Sequence, residues 1–191
     1  RLANALTELG IRKGDRVNVL LFNTNEMLET LFACAKLGAI FVPINFRLSA
    51  PEVEYIIRDS AGSVFIYDER LTNIAEVIDE NVEHISYIIQ VGSSHDKHLN
   101  YEQLLDEHSD EEPIFEVDHD DPLMMMYTSG TTGRPKGALL THGNTIWNAV
   151  NFIVSVPFQS ADLTLTVAPL FHIGGMNIFT TPTLYKGGTI L

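Results

Sequence analysis

The chain has 191 residues, 45% hydrophobic and 19% charged, proportions that suit a globular domain with a sizeable core and exclude wholesale disorder. A net charge of −13 with no cluster of Lys and Arg argues against a nucleic-acid footprint. The single cysteine, Cys34, can form no internal disulfide, and no apolar run approaches the roughly eighteen residues a bilayer span needs. The expectation is therefore a cytosolic protein, at most peripheral to a membrane.

The first residues already lie inside a helical repeat of Leu2, Ala5, Leu6 and Leu9, stopped by Gly10. Arg16 to Phe22 alternates and then turns apolar, as a buried strand does. Asn23 or Thr24 can cap a second helix with Leu28, Leu31, Phe32 and Ala35 on its apolar face, Cys34 beside them in the core, and Gly38 as its stop. Ala39 to Val42 is a short strand. Ser49-Ala50-Pro51-Glu52 is a capping box with proline in the first turn, opening a helix that buries Val53, Ile56 and Ile57 and ends at Gly62. Val64 to Tyr67 predicts a strand, Leu71 to Ile78 a helix, and Ile85 to Val91 another strand. Alternation of this kind favours a largely parallel sheet flanked by helices, an α/β fold. Gly92 to Asn100 is a polar loop that includes His95 and His98, which have no companion ligands at metal-binding spacing. Tyr101 to Leu105 is a short helix. Nine acids and no Lys or Arg lie between Asp106 and Asp121, a solvated connection.

Leu123 to Met126 is apolar and short enough for a buried strand, and Tyr127 to His142 follows it as YTSGTTGRPKGALLTH. Gly130, Gly133 and Gly137 permit turns that aim consecutive N–H groups inward, and Thr128, Ser129, Thr131 and Thr132 add hydroxyl donors. Lys136 supplies a point charge, and Pro135 stiffens the backbone before it. This composition suits a polyphosphate. It is not a Walker A loop, because Lys136 precedes Gly137 rather than a Ser or Thr opening a helix. Ala138 to Leu140 is a second strand.

The segment closely resembles the signature loop of the adenylate-forming superfamily, which includes acyl-CoA synthetases, firefly luciferase and the adenylation domains of peptide synthetases. The resemblance implies that Thr128, Ser129, Gly130, Thr131, Thr132, Gly133 and Lys136 bind the β- and γ-phosphates of ATP with Mg2+. Lys36 to Ala39 and Val42 to Asn45 are similar to a second family motif, read here as architecture: Gly38 stops a helix and Pro43 ends a strand.

Beyond the loop, Thr141 or Asn144 can cap a helix carrying Ile146, Trp147, Val150, Ile153 and Val154 at helical spacing, with Trp147 read as packing. Asp162 to Ala168 predicts a strand ending at Pro169, and Leu170 to Met176 then breaks regular structure. His172 thus follows a strand end, where ligands bind in open α/β sheets, and it would share a cleft with the loop if the two strands were parallel neighbours. Pro-Leu-Phe-His followed by glycines is similar to the acyl-CoA synthetase form of the family's next motif. That likeness implies an acyl carboxylate at Phe171 and His172, with Gly174 and Gly175 leaving room for the acyl chain. Peptide-synthetase domains typically carry Phe-Asp there, so His172 points to an acid without an amino group.

The reading is ATP-dependent conversion of a carboxylic acid, a fatty acid first, to acyl-AMP and then to a coenzyme A thioester. An aryl or succinylbenzoyl acid ligase, a kinase using the same nest, or a non-catalytic nucleotide-binding module are the alternatives. The resemblance also implies that residues 1–191 are part of the large N-terminal domain, cut at both ends. The magnesium glutamate, ribose motif and adenylation lysine of the family are not found in the chain, which is therefore expected to be inactive alone. Homo-oligomerisation is left open.

Overall fold

A computed structural model of the chain describes residues 1–129 and 133–191. The first helix, α1 (Leu2–Glu8), buries Leu2, Ala3, Ala5 and Leu6 before Gly10 turns the chain at φ +90°. Strand β1 (Arg16–Leu20) leads to α2 (Asn25–Leu37), which Gly38 ends in the left-handed conformation. The buried side of α2 carries Met27, Leu31, Cys34 and Leu37, whereas Phe32, expected on it, is 46% exposed.

After β2 (Ile40–Pro43), α3 (Ala50–Ser60) opens on the expected capping box, with the Ser49 N–H donating to Glu52 Oε2 at 2.8 Å. Its end differs from expectation. Ala61, not Gly62, takes the left-handed turn at φ +51°. Gly62 answers a steric demand instead: a Cβ there would lie 2.3 Å from Asn18 Nδ2 and 2.9 Å from the Arg16 carbonyl oxygen.

The fully buried β3 (Val64–Asp68) passes through a 3₁₀ turn, Glu69–Leu71, into α4 (Thr72–Asn81) and then β4 (Tyr87–Val91). A short strand, β5 (Leu99–Asn100), lies inside the stretch expected to be loop, and α5 (Tyr101–Glu107) follows. His98 is correspondingly a buried residue, with Nδ1 2.8 Å from Tyr67 Oη and its ring stacked on His95. The acidic connection is strapped to the first helices: Lys13 Nζ is 2.6 Å from Asp121, Lys36 pairs with Glu112, and Asn4 donates to the Ser109 carbonyl.

Strands β6 (Pro122–Thr128) and β7 (Lys136–Thr141) form an antiparallel hairpin that leads into α6 (His142–Ser155). Thr141 caps α6 and Asn144 reciprocates. Trp147, expected to pack, is 59% exposed. The strand expected over Asp162 to Ala168 is only β8 (Leu163–Thr164), and Leu165 and Val167 are exposed. Gly174–Thr180 forms a π-helical segment continuous with α7 (Thr181–Lys186), and β9 (Thr189–Ile190) pairs in parallel with β8 as a separate two-stranded sheet.

The main sheet runs β5-β4-β3-β1-β2-β6-β7, parallel throughout except at the β6–β7 hairpin. One face packs on α1, α2 and α5 through Val17, Val19 and Phe41; the other packs on α3 and α4 through Leu20, Val42 and Phe65. Alternate residues of each buried strand serve opposite faces, which is why these strands read as continuous apolar runs. Since β1, β2 and β6 are parallel neighbours, the residues after Leu20, Pro43 and Thr128 emerge together at one edge of the sheet. That edge is where an open α/β sheet offers a crevice.

Candidate nucleotide and acid site

The β6–β7 hairpin presents the glycine-rich loop, and Thr128 pairs with Lys136 at its base. Gly130, Thr131 and Thr132 lie outside the described residues. Gly133 adopts φ +84°, a conformation that favours glycine, and no atom of the described residues comes within 4 Å of where its Cβ would stand. Gly137 works differently from the loop glycines: it lies in β7, and a Cβ there would meet Met125 Cγ at 2.8 Å. Its smallness serves packing across the hairpin, not the turn.

Helix α3 braces the loop at three points. Tyr55 donates from its hydroxyl to the Pro135 carbonyl at 3.2 Å, the Arg134 guanidinium sits 5.9 Å from the Tyr55 ring centre, and Tyr127 donates to Asp59 at 2.7 Å. Burial, together with the Asp59 carboxylate, raises the Tyr127 pKa, so this hydroxyl keeps its proton at neutral pH.

A cavity of about 720 Å³ opens beside the loop. Thr128, Ser129, Gly133 and Pro135 line one side of it, Phe171 and His172 another, and Pro43, Asn45, Tyr55 and Tyr127 much of the rest. Two segments 40 residues apart in sequence thus border one volume, although the reason anticipated for it was incorrect. His172 does not follow a strand paired beside β6: β8 ends at Thr164 and belongs to the other sheet. His172 reaches the cavity because Leu170 and Met176, both buried in the core, pin the irregular segment on either side of it.

His172 is exposed, and its Nδ1 accepts the Gly174 N–H at 3.1 Å. This bond assigns the proton of the neutral ring to Nε2, leaving Nε2–H as a donor. Lys136, Gly174 and Gly175 do not line the cavity. At Gly175 the missing side chain makes room for protein, because a Cβ would fall 2.1 Å from the Pro169 carbonyl oxygen. Sequence reasoning passed over Tyr55 and gave Pro43 and Asn45 to architecture alone. The early signals for Pro43 and Asn45 were their place after a strand and the likeness of Val42 to Asn45 to a family motif; Tyr55 had none.

Glu52 also lines the cavity, but its carboxylate is engaged by the Ser49 hydroxyl and N–H, which hold its pKa below the usual carboxylate range. Hydroxyl donors and a left-handed glycine at the end of a parallel strand fit a polyphosphate. Magnesium is a different matter. Among the described residues no group of three or more His, Cys, Asp or Glu is placed to hold a metal ion, so these residues offer no carboxylate cage for it.

Comparisons with known proteins agree with this architecture. The AMP-binding enzyme family matches residues 1–191. Feruloyl-CoA synthase of Amycolatopsis sp. is 43% identical over all 191 residues, which span 36% of that protein. Long-chain-fatty-acid–CoA ligase FadD13 of Mycobacterium tuberculosis is 36% identical over 92% of the chain and 34% of its own length. Among solved structures, the anthranilate CoA ligase AuaEII in complex with anthranoyl-AMP superposes with a TM-score of 0.94 at 29% identity, covering the whole chain and 37% of that protein. The fold is that of the N-terminal domain of adenylate-forming enzymes, and the chain belongs to the AMP-binding enzyme family. It spans about a third of the length of the curated relatives it matches.

Proposed function

We propose that the protein to which residues 1–191 belong is an acid–CoA ligase that activates a carboxylic acid with ATP and passes the acyl group to coenzyme A. The observation that carries this reading is the shared cavity, with the glycine-rich loop on one side and His172 on the other. The first half-reaction joins two anions, so its demand is charge neutralisation. A carboxylate oxygen attacks the α-phosphorus, a new O–P bond forms, and the bond to pyrophosphate breaks with its electron pair leaving on oxygen.

The chain's residues have separable parts in this. Thr128, Ser129 and Gly133, with Gly130, Thr131 and Thr132, donate hydrogen bonds to the leaving polyphosphate, and Lys136 adds a positive charge nearby. His172 donates from Nε2–H to the acid's carboxylate and fixes its approach. No general base is required, because a carboxylic acid with a pKa near 4 is already ionised at neutral pH. Phe171 borders the acyl side. Magnesium would neutralise phosphate charge when it accompanies ATP.

For the acid itself, an aromatic acid is the preferred reading over the fatty acid suggested by the sequence. The cavity wall carries Tyr55, Tyr127 and Phe171, and the feruloyl-CoA synthase is more similar than the fatty-acid ligase. The test uses the full-length protein: exchange of labelled pyrophosphate into ATP should depend on added acid and be stronger with a phenylpropenoic acid than with a long-chain fatty acid. A kinase would give no exchange, and a nucleotide-binding module would bind ATP without exchange. The opposite order of acids would return the substrate to the fatty class.

A further inference from the structure

We propose that Asn23 is a positioning residue for His172. The inference rests on the acid-activating role of His172 given above and adds the group that orients it. Asn23 lies in the turn between β1 and α2, where its sequence position suggests a helix cap. Thr24 takes the N-cap place instead, without a side-chain capping bond, and the Asn23 amide is bonded to the backbone of residues 168 and 170. Its Nδ2 donates to the Ala168 carbonyl at 2.9 Å, and its Oδ1 accepts the Leu170 N–H at 2.9 Å.

One side chain therefore clasps the backbone on both sides of Pro169. Asparagine is suited to this because it offers one donor and one acceptor on a short, planar stem. From that clasp a chain of bonds runs to the imidazole. The His172 N–H donates to the Pro169 carbonyl at 3.1 Å, the Met176 N–H donates to the His172 carbonyl at 3.0 Å, and the Gly174 N–H donates to His172 Nδ1 at 3.1 Å. The residue before Asn23 supports the same segment by another route. The Phe22 ring stands 4.5 Å from that of Phe46, which in turn stands 5.3 Å, edge to face, from Phe171. The β1–α2 turn thus buttresses both Phe171 and His172. Since β8 and its short sheet leave residues 165–173 without strand pairing to the main sheet, this clasp replaces the ladder that would otherwise fix them.

The experiment compares full-length wild type with Asn23→Ala, Asn23→Asp, His172→Ala and the double variant Asn23→Ala/His172→Ala. Asp keeps the acceptor for Leu170 N–H but removes the donor to Ala168, so it should fall between wild type and Ala. For Asn23→Ala, kcat/KM for the acid in pyrophosphate exchange should drop by about 10- to 100-fold, because misplacement of a reacting group costs on this scale. The KM for ATP should change by less than about threefold, and adding Asn23→Ala to His172→Ala should cost nothing further, as residues acting in one unit behave. Equal losses for acid and ATP with a lowered melting temperature, or full additivity in the double variant, would overturn the assignment. The imidazole nitrogen NMR signals of His172 give a readout independent of turnover: the Nε2–H tautomer should dominate in wild type and become mixed in Asn23→Ala. Should wild type show no acid-dependent exchange, the proposed function falls, while an unchanged His172 spectrum would defeat the role of Asn23 by itself.

Discussion

Tyr55 shows how one hydroxyl can bear on nucleotide binding without belonging to the loop that holds the nucleotide. Its bond to the Pro135 carbonyl fixes the residue next to Lys136, and a hydrogen bond of this kind contributes about 1 kcal/mol net. Tyr55→Phe should therefore raise the KM for ATP by about fivefold in pyrophosphate exchange and leave the KM for the acid nearly unchanged; a change confined to the acid would contradict the bracing role. His98 makes a second case, one of stability. Burial lowers its pKa, with the neighbouring His95 acting in the same direction and Asp79 against it, and burial likewise lowers that of His142. The native state thus prefers both rings neutral, and the unfolded chain takes up protons that the native one refuses. Their contribution is whole above about pH 6.5, the ordinary histidine value, and is lost as pH falls below it. The urea midpoint should drop between pH 7.5 and pH 5, and His98→Gln should flatten that dependence.

At the scale of elements, the end of α3 separates two duties that one glycine was expected to perform. Ala61 carries the left-handed backbone at φ +51°, whereas Gly62 leaves space for Asn18, whose Oδ1 accepts a bond from Ser60. Ala61→Gly should stabilise the domain by about 1 kcal/mol by relieving the Cβ of an unfavourable conformation. Gly62→Ala should destabilise it by about 1–3 kcal/mol, since its new methyl has no room. Chemical denaturation of the two variants decides the matter, and the reverse order would restore the glycine to the helix stop. The same distinction governs Gly133 and Gly137, where the first supplies backbone freedom in the loop and the second supplies room beside Met125.

Across the whole molecule, the order of the central strands determines what can meet. Placing β1, β2 and β6 side by side and parallel brings Asn23, Asn45 and Thr128 to one edge, within reach of the segment that carries His172. The same view bears on activity. Residues 1–191 contain the loop and His172 but, among the described residues, no carboxylate cluster for magnesium, and they span about a third of their relatives. Incubated alone with ATP, magnesium and an aromatic acid, they should form no acyl-AMP; its detection by mass spectrometry would show that this portion is catalytically sufficient.

Legible from residue order alone were local features: the capping box at Ser49, Thr141 as one of two candidate caps, the apolar strands of a parallel sheet and the glycine-rich loop with its resemblance to adenylate-forming enzymes; the break expected over Leu170 to Met176 ends earlier, because Gly174–Thr180 is a π-helical segment. Each is written in neighbouring residues, because capping, strand burial and turn formation depend on spacings of a few positions. The folded arrangement alone reveals that Asn23 clasps residues 168 and 170, that Tyr55 braces Pro135, that His98 is buried against Tyr67, and that Trp147 stays exposed. These contacts join residues far apart in the chain, and an amide, a phenol or an indole satisfies its surroundings according to which strands the fold sets side by side. No short-range pattern carries that order.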